Sequence, residues 1–238
     1  MTSTGGTYNV HVGAGLLAHL DRLLPPLRHA RTAVLLAAAA DHEAADTAAG
    51  ALRRCDLGTQ WIEVPHRRQS KDLATIARLA RRLADLAVHK DDIVVGAGGE
   101  AVCDIAGFLA GTCNRGMPPV LLPATLAAQV RRPGNPFSKH VQNLCEGEVA
   151  TLTEVIARSV TVKAAIVSND EQERGNRLHL NYGHTFGHAI EQVRGPDSED
   201  DGEAIALGMT AAAYPARRQG ASPTDSPTRR RHPRRCPA

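Results

Sequence analysis

The chain has 238 residues, 42% of them apolar and only 3% aromatic, so it can close a sizeable core, built mainly from Ala, Leu and Val. Its net charge of +3 comes from the tail: Arg217–Ala238 carries seven Arg against Asp225 alone, which leaves the body, Met1–Ala216, at −3. An acidic body argues against a nucleic-acid partner, and the longest apolar run, Ala33–Ala40, is too short to span a bilayer.

Tyr8–Val12 alternates like an edge strand, and an amphipathic stretch follows Gly13-Ala14-Gly15 to about Leu24. Thr32–Ala37 reads as a buried strand, Asp41–Arg54 as a helix and Gln60–Val64 as a short strand. Asp72 is a plausible N-cap for a helix whose apolar positions are Leu73, Ile76, Leu79, Leu83 and Leu86. Ile93–Val95 is a buried strand that runs into Gly96-Ala97-Gly98-Gly99, with a helix from Cys103 to Gly111 and a strand at Val120–Leu122. Beyond Leu144 the strands stop, and Thr153–Val167, His184–Val193 and Glu203–Tyr214 are helix candidates.

Strands alternating with helices predict a parallel sheet. The fold class expected is α/β. A nucleotide-binding domain with a parallel sheet (1–144) precedes a truncated all-helical domain (145–214) and a disordered Arg/Pro-rich tail (215–238). The five Cys form no CxxC pair, and Met1–Gly6 has no leader-like pattern, so reduced thiols in the cytoplasm are expected.

Two features carry chemistry. A Gly-rich turn between strand and helix is where such sheets cradle a pyrophosphate, although many such turns only allow close packing. In Asn181–Glu191, His184 and His188 stand four residues apart with Glu191 three further on, one face of a helix. Such a face can bind a divalent metal or move protons, or simply be polar. Lys163, Arg174, Arg177 and Asn181 lie upstream, and cations beside such a site suit an anionic substrate.

The blocks Gly98–Phe108, Asn114–Gly116, Pro123–Val130 and Arg177–Glu191 resemble 3-dehydroquinate synthase, of the sugar-phosphate cyclase group, in family order across most of Tyr8–Tyr214. The resemblance implies an N-terminal α/β domain holding NAD and a C-terminal helical domain holding a divalent metal, usually zinc. It implies conversion of 3-deoxy-D-arabino-heptulosonate 7-phosphate, a small phosphorylated sugar acid, to 3-dehydroquinate and phosphate in the shikimate pathway. No nucleic-acid or membrane partner is implied, and a homodimer is an admissible assembly.

Residue by residue, Gly98, Gly99 and Asp104 match the dinucleotide loop, and Lys71 and Thr125 match further cofactor-binding positions. Arg115, Lys163, Arg177 and Asn181 match substrate-binding residues. His184 matches a metal ligand and His188 a histidine near the substrate phosphate. Asp104 also reads as a helix cap, Arg115 as a solvated loop residue and Lys163 as part of an exposed helical face.

The chain departs from the family pattern in several places. Glu100 replaces the third loop glycine, Arg68 a glutamate, Ala124 the first of two threonines, and Arg131 an aspartate. Between Val130 and about Phe137 dozens of residues are missing, among them a catalytic lysine and a metal-binding glutamate. Asp201 stands where the second metal histidine is expected, and a carboxylate can serve as a zinc ligand. The sequence therefore reads as a member of the family with impaired activity. Alternatives are a cyclase for a related sugar phosphate of secondary metabolism, or a non-catalytic remnant that binds a nucleotide or a partner.

Overall fold

The computed structural model describes residues 2–3, 6–65, 71–125, 147–194 and 201–218, with backbone alone for 2–3, 6–7, 201 and 215–218. The chain divides into two compact units, Val10–Arg131 and Met1–Asn9 together with Arg132–Ala238.

The first unit is α/β. After a 3-10 turn (Leu16–His19) and a short helix α1 (Leu20–Leu23) come β3 (Thr32–Ala37), α2 (His42–Arg53), β4 (Gly58–Glu63), α3 (Leu73–Asp85), β5 (Ile93–Gly98), α4 (Glu100–Thr112) and β6 (Pro119–Pro123). The labels β1 (Thr2–Ser3) and β2 (Gly6–Thr7) belong to a short antiparallel pair in the other unit.

The four strands form one parallel sheet in the order β4-β3-β5-β6. The two central strands are the apolar runs, because a central strand covered on both faces has no side to show to water. In β3 the side chains divide by parity. Val34 and Leu36 face a cluster with Leu79 and Leu83 of α3 and Val102, Ile105 and Leu109 of α4. Ala33, Leu35 and Ala37 face a second cluster with Leu20, Ala45, Ala48, Ala49 and Leu52. Register is in step across the centre, with Val34 opposite Val94 and Leu35 opposite Val95. Asp72 caps α3 as expected, its carboxylate accepting from Thr75 N at 2.7 Å.

The second unit contains α5 (Val149–Asn169), α6 (His184–Arg194) and α7 (Asp201–Arg218). In α5 the buried residues Thr151, Val155 and Ser159 recur every four positions, one inward stripe. The helices α6 and α7 approach closely: a methyl group built on Gly208 would lie 2.5 Å from Gly187 N and 2.9 Å from Gly187 Cα, backbone that cannot give way.

Some boundaries differ from the sequence expectation. Tyr8–Val12 forms no strand, and Tyr8 and Val10 are exposed. Among the described residues no strand lies beside this segment to offer it a ladder. The glycines after Val95 continue β5 to Gly98, and α4 starts at Glu100 rather than Cys103. The last helix continues past Tyr214 to Arg218. Arg68, Gln129–Pro136, Cys145 and the tail from 219 lie outside the described residues.

Candidate functional site

The nucleotide-type turn sits at the carboxyl end of the sheet, where open α/β sheets take their ligands. Gly98 ends β5 with φ +154°, and a Cβ there would meet Asp41 Oδ2 at 2.5 Å and Val102 at 3.2 Å. The backbone conformation at 98 therefore favours glycine, and a side chain there would also push on Asp41 and Val102. Ala124 N donates to Gly98 O at 2.8 Å, which brings the residue before Thr125 to the same edge. Gly99 is the N-cap of α4 and has no side chain to offer the first-turn amides.

The next residue changes the site. Lys71 Nζ stands 2.9 Å from Glu100 Oε1 and 2.5 Å from Asp104 Oδ2. Glu100 and Asp104 are four apart on one face of α4, so a single ammonium bridges two carboxylates. Lys71, Gly98, Gly99 and Asp104 are thus brought together as expected, with Glu100 among them. Cys103 lies beneath, and burial, followed by the negative charges of Asp104, Asp41 and Glu100, pushes its thiol up to about 11. Arg115 is elsewhere. It ends the turn Cys113–Arg115 beyond the far end of α4, a helix about 20 Å long at 1.5 Å per residue.

In the helical unit, Arg177, Asn181, His184 and His188 follow one another along a 3-10 segment (Asn176–Asn181) and α6. Asp170, the C-cap of α5, organises the approach. Its carboxylate accepts from the backbone N–H of Arg174 (2.9 Å), Gly175 (2.7 Å) and Arg177 (3.0 Å). Those amides hold its carboxyl below the usual carboxylate range. Arg177 Nη1 donates to Glu171 O at 2.6 Å, and its Nε lies 3.9 Å from Glu173. Asn181 donates to Glu173 through Nδ2 and meets His184 Nδ1 at 3.3 Å through Oδ1.

The rings of His184 and His188 stack with centroids 5.2 Å apart, and His188 Nδ1 pairs with Glu191 Oε2 at 2.9 Å. Lys163 falls four residues after Ser159 on α5 and is half-buried. The side chain of Asp201 lies outside the described residues.

Sequence reading missed Asp170, Glu173 and Asp41. Asp170 carried one usable signal, an Asp just after a helical run and five residues before a glycine, the composition of a side-chain-capped turn.

The metal expectation meets a limit. Among the described residues, no three His, Cys, Asp or Glu side chains converge to hold an ion. A structural or catalytic zinc site needs three or four such ligands.

Comparison with known proteins agrees with the motifs. The family model for the 3-dehydroquinate synthase N-terminal region matches residues 61–132, and that for the C-terminal region matches 134–232. The 3-dehydroquinate synthase of Symbiobacterium thermophilum is 31% identical over 276 positions, covering 90% of this chain and 76% of the relative. That of Thermobifida fusca is 31% identical, covering 91% and 74%.

Among solved structures, 2-deoxy-scyllo-inosose synthase complexed with carbaglucose-6-phosphate, NAD+ and Co2+ superposes with TM-score 0.75 at 20% identity, covering 89% of this chain and 73% of that one. The 2-epi-5-epi-valiolone synthase of Streptomyces hygroscopicus subsp. jinggangensis, with NAD+ and Zn2+ bound, gives TM-score 0.75 at 18% identity over 92% and 77%. Likeness at that identity shows the shared fold. With sequence identity, coverage and motif order in agreement, this chain belongs to the 3-dehydroquinate synthase family.

Proposed function

We propose that this chain is a cytoplasmic 3-dehydroquinate synthase-type protein that keeps part of the substrate-binding apparatus and has lost most of its turnover. The observation that carries the first half is the succession Arg177, Asn181, His184, His188 on one turn and one helix. A guanidinium, an amide and two imidazoles in that order suit the phosphate and carboxylate of a phosphorylated sugar acid. The substrate class follows from the family: 3-deoxy-D-arabino-heptulosonate 7-phosphate, with 3-dehydroquinate and phosphate as products of the shikimate pathway. Lys163 and Arg115 are further candidates for substrate contact.

NAD and a divalent metal, zinc by preference, are the groups that the family reading assigns. Among the described residues, each site departs from the family pattern. At the nucleotide turn, the helix start and Lys71 already face a carboxylate. On the metal side, His184 and His188 are present without a third converging ligand among the described residues. Two weak ligands hold zinc far less well than a full set. The match to the Symbiobacterium relative also spans 276 positions, more than this chain has residues, so the relative carries segments with no counterpart here.

Genetic complementation tests the reading. In a bacterium lacking its own 3-dehydroquinate synthase, this chain is expected to give no growth, or very slow growth, without aromatic amino acids. Growth at the rate given by an intact synthase would refute the proposed impairment.

A further inference from the structure

We propose that the chain closes its own nucleotide turn: Glu100 supplies, from within, the anion that the amino end of α4 and Lys71 would otherwise take from a dinucleotide. The inference rests on the family reading above and concerns ligand affinity, not turnover.

The amino end of a helix attracts anions because its first amides have no partner in the helix and the backbone dipoles add up there. In α4 the N-cap is Gly99, so no side chain at that position competes for those amides. Glu100 is the first residue of the helix and places its charge in the favoured region. Lys71, on the approach to α3, is held by Glu100 at 2.9 Å and Asp104 at 2.5 Å. Asp41 adds a third carboxylate beside Gly98. Cys103, whose thiol is raised first by burial and then by the charges of Asp104, Asp41 and Glu100, borders the same region.

A pyrophosphate entering this turn would meet two carboxylates on α4. It would also have to take Lys71 from an ion pair already formed. Glu100 contributes its charge to both terms beside Asp104, and its side chain adds bulk where the backbone should lie bare. Replacing the residue should therefore separate charge from volume.

The test is calorimetric titration of NAD+ into the full chain, comparing wild type with Glu100→Gly and Glu100→Gln. Wild type should show no saturable binding up to about a millimolar. Glu100→Gly should bind at least tenfold more tightly, and Glu100→Gln, which keeps the volume, should gain less. Adding Lys71→Ala to Glu100→Gly should cancel most of the gain. Thermal melting of each variant checks that it folds, and Glu100→Gln, nearly isosteric, keeps the test decisive if the glycine variant does not. Wild-type affinity equal to that of both variants would overturn the inference. Turnover by wild type would overturn the function reading instead, because the affinity comparison does not depend on it.

Discussion

The carboxylate of Asp92 accepts a hydrogen bond from Thr32 N at 2.9 Å, sixty residues away in the chain. The same carboxylate takes Arg31 N at 2.8 Å and His89 N at 2.7 Å. Asp92 immediately precedes β5, and Thr32 is the first residue of β3, so one buried side chain fixes the starting points of both central strands.

Removing it should be costly. Asp92→Ala leaves three amides near a buried edge without their acceptor, an expected loss of about 3 kcal/mol. Burial alone raises the Asp92 carboxyl, and the amides of His89, Arg31 and Thr32 outweigh it, so the net shift is downward. A lowered folded-state value means that this stability is present above the unfolded value, near 4, and is lost as pH falls through the folded value. Denaturant titrations from pH 7 to pH 3 should show wild type losing stability below about pH 4. Asp92→Asn should be less stable at neutral pH and lack that part of the acid slope.

Leu79 and Leu83 are fully buried between α3 and the sheet. Truncation of either to Ala should destabilise the first unit by about 3 kcal/mol, the usual cost of a large apolar cavity. Equal melting temperatures for wild type and both variants would contradict the packing described for that face.

At the crossing of α6 and α7, a methyl group on Gly208 would lie 2.5 Å from Gly187 N and 2.9 Å from Gly187 Cα. Backbone cannot yield as a flexible side chain can. Gly208→Ala should therefore cost about 2 kcal/mol despite its better helix propensity, from overpacking alone. Helical content followed by circular dichroism during heating checks this.

The raised Cys103 thiol predicts slow chemistry. With its value at about 11, few molecules carry the thiolate at pH 8. Iodoacetamide should label Cys103 at least tenfold more slowly in the folded chain than after unfolding, as read by peptide mass spectrometry. Equal rates would mean that the burial of this thiol and its acidic surroundings are not as described.

Much of the first unit could be read from the chain because its signals are local. Thr32–Ala37 and Ile93–Val95 are unbroken apolar runs, and Asp72 caps through Thr75, three residues on. The His184–His188 spacing likewise placed both rings on one helix face, where they stack. What escaped reading depends on distant partners. Asp92 serves β3 from across the unit, and no spacing rule reveals that. Tyr8–Val12 had the alternation of a strand but, among the described residues, no strand beside it, and pattern without pairing does not make a sheet. Glu100 was legible as an intruder in a glycine turn, whereas its capture of Lys71 needed the fold to bring residues 71 and 100 together.

The most direct test of the central claim is phosphate release from 3-deoxy-D-arabino-heptulosonate 7-phosphate by the purified, cooperatively melting chain, with NAD+ and Zn2+ supplied. The account predicts no phosphate above the enzyme-free rate. Steady turnover that a chelator abolishes would contradict it, and would mean that the remaining residues assemble a working site.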